Sequence, residues 1–465
     1  MRWRPWSAVV VWLVVLLVLG HAFRASGADP TCKDPAVGSD SSTLDVIAQY
    51  EFDPRIVDIG FSKARMTAGE ARSLGRAGLD RFGPQDTITI EYPKVVLTRS
   101  VVRPGYVGGL LSLKFLDARG QVLRDVDLAG QLLAGYSTLA GFLGVSRAKL
   151  GGEQTKQETI SSRFEMLDQS GQEILDMTSR GGRGYHVAPN GNFISWVTWE
   201  GGGNHLYFYD SQGQLLGDMA SPGEYMDVRA AYSPTGQYVA VVFGEQDILI
   251  LFDFRGREIW RKDLRKEMGG LGGVGEQLIF SPDEKALYCV ASSADSQYVP
   301  HNYSFSFGMN GDELLRREGA FRGRFSPSGD RLVLYSRSSI LGAISGDGVV
   351  TMSYDKLRKQ TLELVDPVAG TTIWTHEEHD VLINSADVDN HGNRVLCVVE
   401  DGSALKRLLE LDSSGNLVHE FLFTSPQSVS VGATDEGGTI VRTGYDVSSA
   451  WLIDQNCLRL IHLGD

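Results

Sequence analysis

Cysteine is scarce in this chain: four residues in 465, at Cys32, Cys289, Cys397 and Cys457, with no two adjacent. Long apolar runs are also missing. The longest, "AVVVWLVVLLVLG" at 8–20, has 13 residues, fewer than the roughly 20 a helix needs to cross a bilayer. Basic charge is in deficit as well, with 44 Lys and Arg against 58 Asp and Glu. A surface of net −14 repels nucleic acid and anionic membranes, so a nucleic-acid-binding role is set aside.

The N-terminus reads as a targeting segment. Arg2 and Arg4 precede the apolar run, and "ASGA", with Ser26 and Ala28, follows it as a cleavage site. The expectation is a signal peptide over 1–28 and an exported protein, periplasmic or secreted, with an uncleaved anchor as the alternative. Removing Arg2, Arg4 and Arg24 with no acid takes the 44 basic side chains to 41 against 58 acidic, a formal −17. Export places the cysteines where disulfides persist. Cys289 in "ALYCVAS" and Cys397 in "RVLCVVE" sit in strand-like runs and are expected to be free, buried thiols. Cys32 and Cys457 lie near opposite ends in polar, turn-like settings and become a candidate disulfide if the ends meet.

What the chain has in quantity is glycine, 54 residues, set in a repeat. "VAPNGNFISWV" (187–197), "YSPTGQYVAVV" (232–242), "FSPDEKALYCV" (280–290) and "FSPSGDRLVLY" (325–335) are near-copies, and "VDNHGNRVLCV" (388–398) and "ATDEGGTIVRT" (433–443) are weaker ones. The prolines at 189, 234, 282 and 327 are 45, 48 and 45 residues apart, and a period in the mid-forties is that of a propeller blade. Alternating with these are hairpins through Asp-x-x-Gly, such as "FLDARGQVL" (115–123), "FYDSQGQLL" (208–216) and "ELDSSGNLV" (410–418). In them Asp accepts backbone hydrogen bonds and Gly takes the left-handed conformation. Eight copies, counting the divergent "FGMNGDELL", "LVDPVAGTTIW" and "LIDQNCLRL", imply up to eight blades.

The expected fold is therefore all-β, a β-propeller of four-stranded antiparallel blades over 85–465, eight of them with seven as the alternative. Residues 29–84 are expected to form an N-terminal extension with a short helix, because Thr67 and Glu70 have capping-box spacing ahead of Ala71, Leu74 and Phe82. The pattern resembles the bacterial WD40-like and quinoprotein-like (PQQ-type repeat) propellers. "DPVAGTTIW" matches the quinoprotein blade signature through Asp366, Gly370 and Trp374, and "DFRGREIW" approaches it one residue shorter. No Trp-Asp dipeptide occurs. The resemblance implies tryptophan docking between blades and need not imply a cofactor.

No catalytic constellation stands out, and the chain is expected to need no cofactor and to be no enzyme. "THEEHD" (375–380) has two histidines but not in His-Glu-x-x-His spacing, and is expected to be a solvated loop. "DVDNHGN" (387–393) has Asp387, Asp389 and Gly392 like a calcium loop, but His391 and Val398 stand where oxygen ligands are needed, so it is expected to be a repeat turn and no metal site. Glycine-rich "RGGRGYH" and "EMGGLGGVGE" lack a phosphate-loop lysine and are expected to link blades, with Arg183, Tyr185 and His186 as candidates to line a central channel. The connections at 293–304 and 336–360 are long, whereas "FGEQD" makes the same link in blade four. They carry Tyr298, His301, Tyr303, Asp347, Met352, Tyr354 and Lys356, the candidate partner-binding residues. A hairpin packed on its neighbour is the structural alternative. The functional expectation is a monomeric protein-binding scaffold with a protein partner in the envelope or extracellular space and no membrane span after cleavage. Its alternative is a small-molecule or quinone-dependent enzyme with a site at the central channel.

Overall fold

The computed structural model describes residues 45–51, 55–73, 83–99, 111–118, 120–127, 143–151, 158–167, 172–179, 182–197, 205–220, 228–243, 247–268, 271–272, 277–294, 300–319, 321–336, 340–344, 350–354, 359–389, 392–400, 405–424, 440–443, 449–454 and 457–462. Among them are eight consecutive antiparallel sheets, most of four strands, and one separate two-stranded hairpin. The chain is a β-propeller, and the sheets are numbered here in chain order as blades 1 (55–127), 2 (143–179), 3 (182–220), 4 (228–263), 5 (271–318), 6 (321–379), 7 (382–424) and 8 (440–462 with 45–51). Blade 1 is Arg55–Thr67, Thr87–Arg99, Leu111–Leu116 and Val122–Asp127. Blade 4, the most regular, is Val228–Tyr232, Tyr238–Phe243, Ile248–Asp253 and Glu258–Asp263, paired in chain order.

Blade 4 explains why its central strands read as continuous apolar runs. Along "YVAVVF", Val239, Val241 and Phe243 enter the core shared with blade 3, while Ala240 and Val242 enter the core shared with blade 5. Side chains alternate across a strand, so a strand buried on both faces has no polar position. The same sharing recurs between blades 2 and 3 through Phe164 and Tyr185, 5 and 6 through Tyr288 and Leu334, and 6 and 7 through Leu362 and Val395.

Turn chemistry follows the sequence expectation. Asp253 Oδ1 accepts the N–H groups of Arg255 and Arg257, each at 2.9 Å, and Gly256 has φ +79°. Asp210 and Asp412 do the same, with Gly213 at +77° and Gly415 at +81°. These glycines also mark where blades touch: a Cβ on Gly256 would meet the Phe208 ring at 2.5 Å, and one on Gly415 the Trp374 ring at 2.8 Å. Trp260 meets Gly311 in the same way and donates its indole N–H to the Met309 carbonyl at 3.0 Å. The signature tryptophans thus dock on the turn of the following blade.

The N-terminal boundary differs from expectation. The helix Ala68–Ser73 is present, and its box is formed: Glu70 N donates to Thr67 Oγ1 at 3.1 Å and Thr67 N to Glu70 Oε2 at 2.9 Å. It is inserted between the first two strands of blade 1, so the boundary drawn at 85 cuts through a blade and 55–67 is its inner strand. Further upstream, Asp45–Glu51 pairs antiparallel with Cys457–His462, the last strand of the chain, in the order Asp45–Glu51, Cys457–His462, Ser449–Asp454, Ile440–Thr443. Ile440–Thr443 lies against the first two strands of blade 7, so it holds the inner position of blade 8 among the described strands and the N-terminal strand the outer one. "LIDQNC" accordingly turns between the second and third strands here, not the third and fourth.

Candidate interaction face

In a four-stranded meander the first and third turns lie on one face of the ring, and the second connection and the blade-to-blade link on the other. The second connections of blades 5 and 6 are built up as hairpins. Blade 4 makes this connection from strands of six residues, but in blade 5 Ala286–Ala294 and Pro300–Gly308 run nine residues each. The extension pairs Ala291 with Tyr303, Ser292 with Asn302 and Ser293 with His301, and Leu271–Gly272 adds against Ser293 and Ala294. In blade 6, Leu332–Ser336 pairs directly with Lys359–Asp366, and between them a separate hairpin joins Ile340–Ile344 to Val350–Tyr354. Met352 sits opposite Gly342 and Tyr354 opposite Ile340.

The base of the blade 5 hairpin is fixed. Tyr303 is half-buried against the core between blades 4 and 5, its ring 6.1 Å from that of Phe305. Ser304 Oγ accepts the Phe321 N–H at 3.1 Å, and the Tyr288 hydroxyl donates to the Phe321 carbonyl at 2.6 Å. The helix Leu264–Met268 caps the same core with Leu264 and Met268. Arg316 joins helix and blade, reaching Glu267 at 2.6 Å and Glu313 at 2.7 Å. Of the candidate partner-binding residues, His301, Tyr303, Met352 and Tyr354 are thus placed on two neighbouring hairpins, and Tyr298, Asp347 and Lys356 lie outside the described residues.

"THEEHD" departs from the expected loop. It continues the outer strand Thr371–His379 of blade 6, because its pairing with Lys359–Asp366 runs on to Lys359 opposite His379. His376 Nε2 is 3.1 Å from Glu378, which also binds Arg407 of blade 7 at 2.8 Å. Hydrogen bonds from His376 and Arg407 hold the Glu378 carboxyl below its ordinary range. "DVDNHGN" supplies a repeat turn: Asp389 Oδ1 accepts the Asn393 N–H at 2.9 Å, as Ser281 and Ser326 hydroxyls accept in their blades, and Asp387 pairs with Arg324 of blade 6 at 3.0 Å. Cys289 and Cys397 are buried free thiols, and burial pushes Cys289 up to about 12.

The channel candidates fall on the inner strand Gly182–Val187 of blade 3, not on a linker. Alternation sends Tyr185 into the core with blade 2, where it is buried and stacked on Phe164 at 4.3 Å. That position packs blades and does not open on a channel. His186 faces the other way and stacks on Tyr232 of blade 4 at 5.8 Å; burial lowers its pKa to about 4. Backbone placement alone is described for Arg183. Sequence reading missed the polar ties between inner strands, such as Gln277 of blade 5, whose amide exchanges two 2.9 Å hydrogen bonds with Gly323 of blade 6. A glutamine in an apolar strand was the only signal.

Among the described residues no group of three His, Cys, Asp or Glu is placed to hold a metal, and no helix is long and apolar enough to cross a membrane. No protein-family model and no curated protein matches the chain. Solved structures are similar to it at low identity. A eukaryotic initiation factor is 12% identical with a TM-score of 0.48, over 71% of this chain and 76% of that one. Kluyvelomyces marxianus Hsv2 is 10% identical with a TM-score of 0.39, over 70% and 90%. The propeller domain of Myceliophteria thermophila Cps50 (Swd1) is 11% identical with a TM-score of 0.38, over 72% and 97%. The propeller assignment rests on the sheets themselves.

Proposed function

We infer that this chain is an exported, non-enzymatic scaffold that binds a protein partner through the face carrying the blade 5 and blade 6 hairpins. The observation that supports the reading is that pair of hairpins, raised from adjacent blades at the one connection that blade 4 makes short. Paired strands on a rigid blade present side chains at fixed spacing with little ordering cost on binding. The partner is a protein of the envelope or the extracellular space, and the mature propeller is a monomer.

A cross-linking pull-down from the native cells tests this, comparing the intact chain with one in which 338–356 is replaced by a short Gly-Ser turn. A partner captured by the first and lost by the second, with both equally folded by circular dichroism, is the expected result. Equal capture would overturn the assignment of the face. Export carries its own check: nonreducing peptide mapping of the mature protein is expected to join Cys32, which lies outside the described residues, to Cys457.

A further inference from the structure

Charge on this protein is sorted by distance from the propeller axis. In the described inner strands of blades 1 and 3 to 7, seven side chains are basic and two acidic. In the outer strands of blades 1 to 7 the balance is reversed, with five basic and twelve acidic. A chain that is acidic as a whole, at net −14, thus keeps basic side chains for the strands nearest its axis.

The excess gathers at one end of those strands. An inner strand runs from the blade-to-blade link to the first turn, so its opening residues lie toward the hairpin face. Arg55 opens the inner strand of blade 1, and Arg183, Arg229 and Arg322 stand second in those of blades 3, 4 and 6. No acid holds either of the first two places in any of the six strands. Register puts Arg229, opposite Val242, and Arg322, opposite Tyr335, level with Gln277 of blade 5, opposite Val290. Farther along, Arg324 is neutralised by Asp387 of blade 7 at 3.0 Å. In the described links the acids are Glu267, tied to Arg316 at 2.6 Å, and Asp380, which precedes blade 7.

An inner strand is covered on both faces by neighbouring blades and along one edge by the second strand of its own blade. Solvent reaches it at the axis and at its ends. Arg229 is exposed and Arg322 half-buried, so both meet that solvent. Arg229 makes no hydrogen bond or ion pair among the described residues, whereas Arg261, on the outer strand of the same blade, is held by Glu258 at 2.5 Å.

We propose that the mouth of the central channel on the hairpin face binds a small polyvalent anion, with Arg229 and Arg322 as its ligands. A guanidinium pairs with phosphate or carboxylate through two parallel hydrogen bonds. Arginines brought from separate blades call for an anion with several such groups. A recess lined by one sign of charge concentrates its counter-ion, and the acidic exterior disfavours anions elsewhere. The site is separate from any protein contact made by the hairpins.

Isothermal titration calorimetry on the full chain at low salt tests this, with tripolyphosphate and with citrate as probes. One-to-one binding of at least one probe is the expected result, and the probe preferred shows whether phosphate or carboxylate is the group recognised. Arg229→Gln is expected to weaken that binding about tenfold, and Arg261→Gln to leave it unchanged. Arg229 has no partner in the fold to lose, so the thermal midpoint of its variant is expected to match that of the parent. No binding of either probe, several weak sites, unchanged binding in Arg229→Gln, or an equal loss in Arg261→Gln would each overturn the proposal.

Discussion

At the scale of single residues, His186 and the turn glycines carry measurable consequences. Folded His186 stays neutral down to about pH 4, while its unfolded form takes a proton near the ordinary 6.5. The unfolded state therefore binds more protons within that window, and stability falls as pH drops from 6.5 toward 4. Thermal melts from pH 7 to 4 are expected to show this slope, and His186→Gln to flatten it. Gly256 combines φ +79° with a Cβ position 2.5 Å from Phe208. Its left-handed backbone alone makes alanine about 1–2 kcal/mol worse, and the ring contact adds to that. Gly256→Ala is expected to lower the urea midpoint, and Gly256→Ala with Phe208→Leu to recover part of the loss. Trp260→Phe keeps the ring on Gly311 but leaves the Met309 carbonyl without its donor, a loss of about 1 kcal/mol in the same assay.

At the scale of elements, what was legible was what is local. The Asp-x-x-Gly hairpins and the capping box at Thr67 are short-range hydrogen-bond patterns that name their own partners, and they formed as read. The inner strand Arg55–Thr67 was not legible: "RIVDIGFSKARMT" mixes charges into an apolar run, has no proline-glycine turn after it, and is followed by a helix before its partner strand. "THEEHD" failed for the opposite reason, since six polar residues read as a loop while a cross-blade partner, Arg407 on Glu378, holds them as a strand end. Of the candidate face, the sequence revealed which connections were long and left a hairpin as one of two readings of them. The hairpin of Ile340–Ile344 and Val350–Tyr354 forms a sheet of its own, outside the four strands of blade 6, so replacing 338–356 is expected to leave the thermal midpoint within a few degrees of the parent. A fall as large as that of a core truncation would show that the hairpin packs on a neighbour.

At the scale of the molecule, the pairing of Asp45–Glu51 with Cys457–His462 ties the first blade to the last. Deleting residues 1–51 strips blade 8 of its outer strand and exposes the edge of Cys457–His462. Such an edge is open to pairing with other chains. Light scattering on the deleted protein is expected to show association that the parent lacks, and an added peptide of sequence DVIAQYE to suppress it; a stable monomer would mean that closure lies in the remaining contacts.

That pairing also sets an order in time. Asp45–Glu51 is made before seven blades and its partner Cys457–His462 after them, so it waits unpaired while they are synthesised. During that wait the ring is unclosed. Completion of blade 8 is then the event that ends it, and the closed ring records that residues up to 462 have arrived.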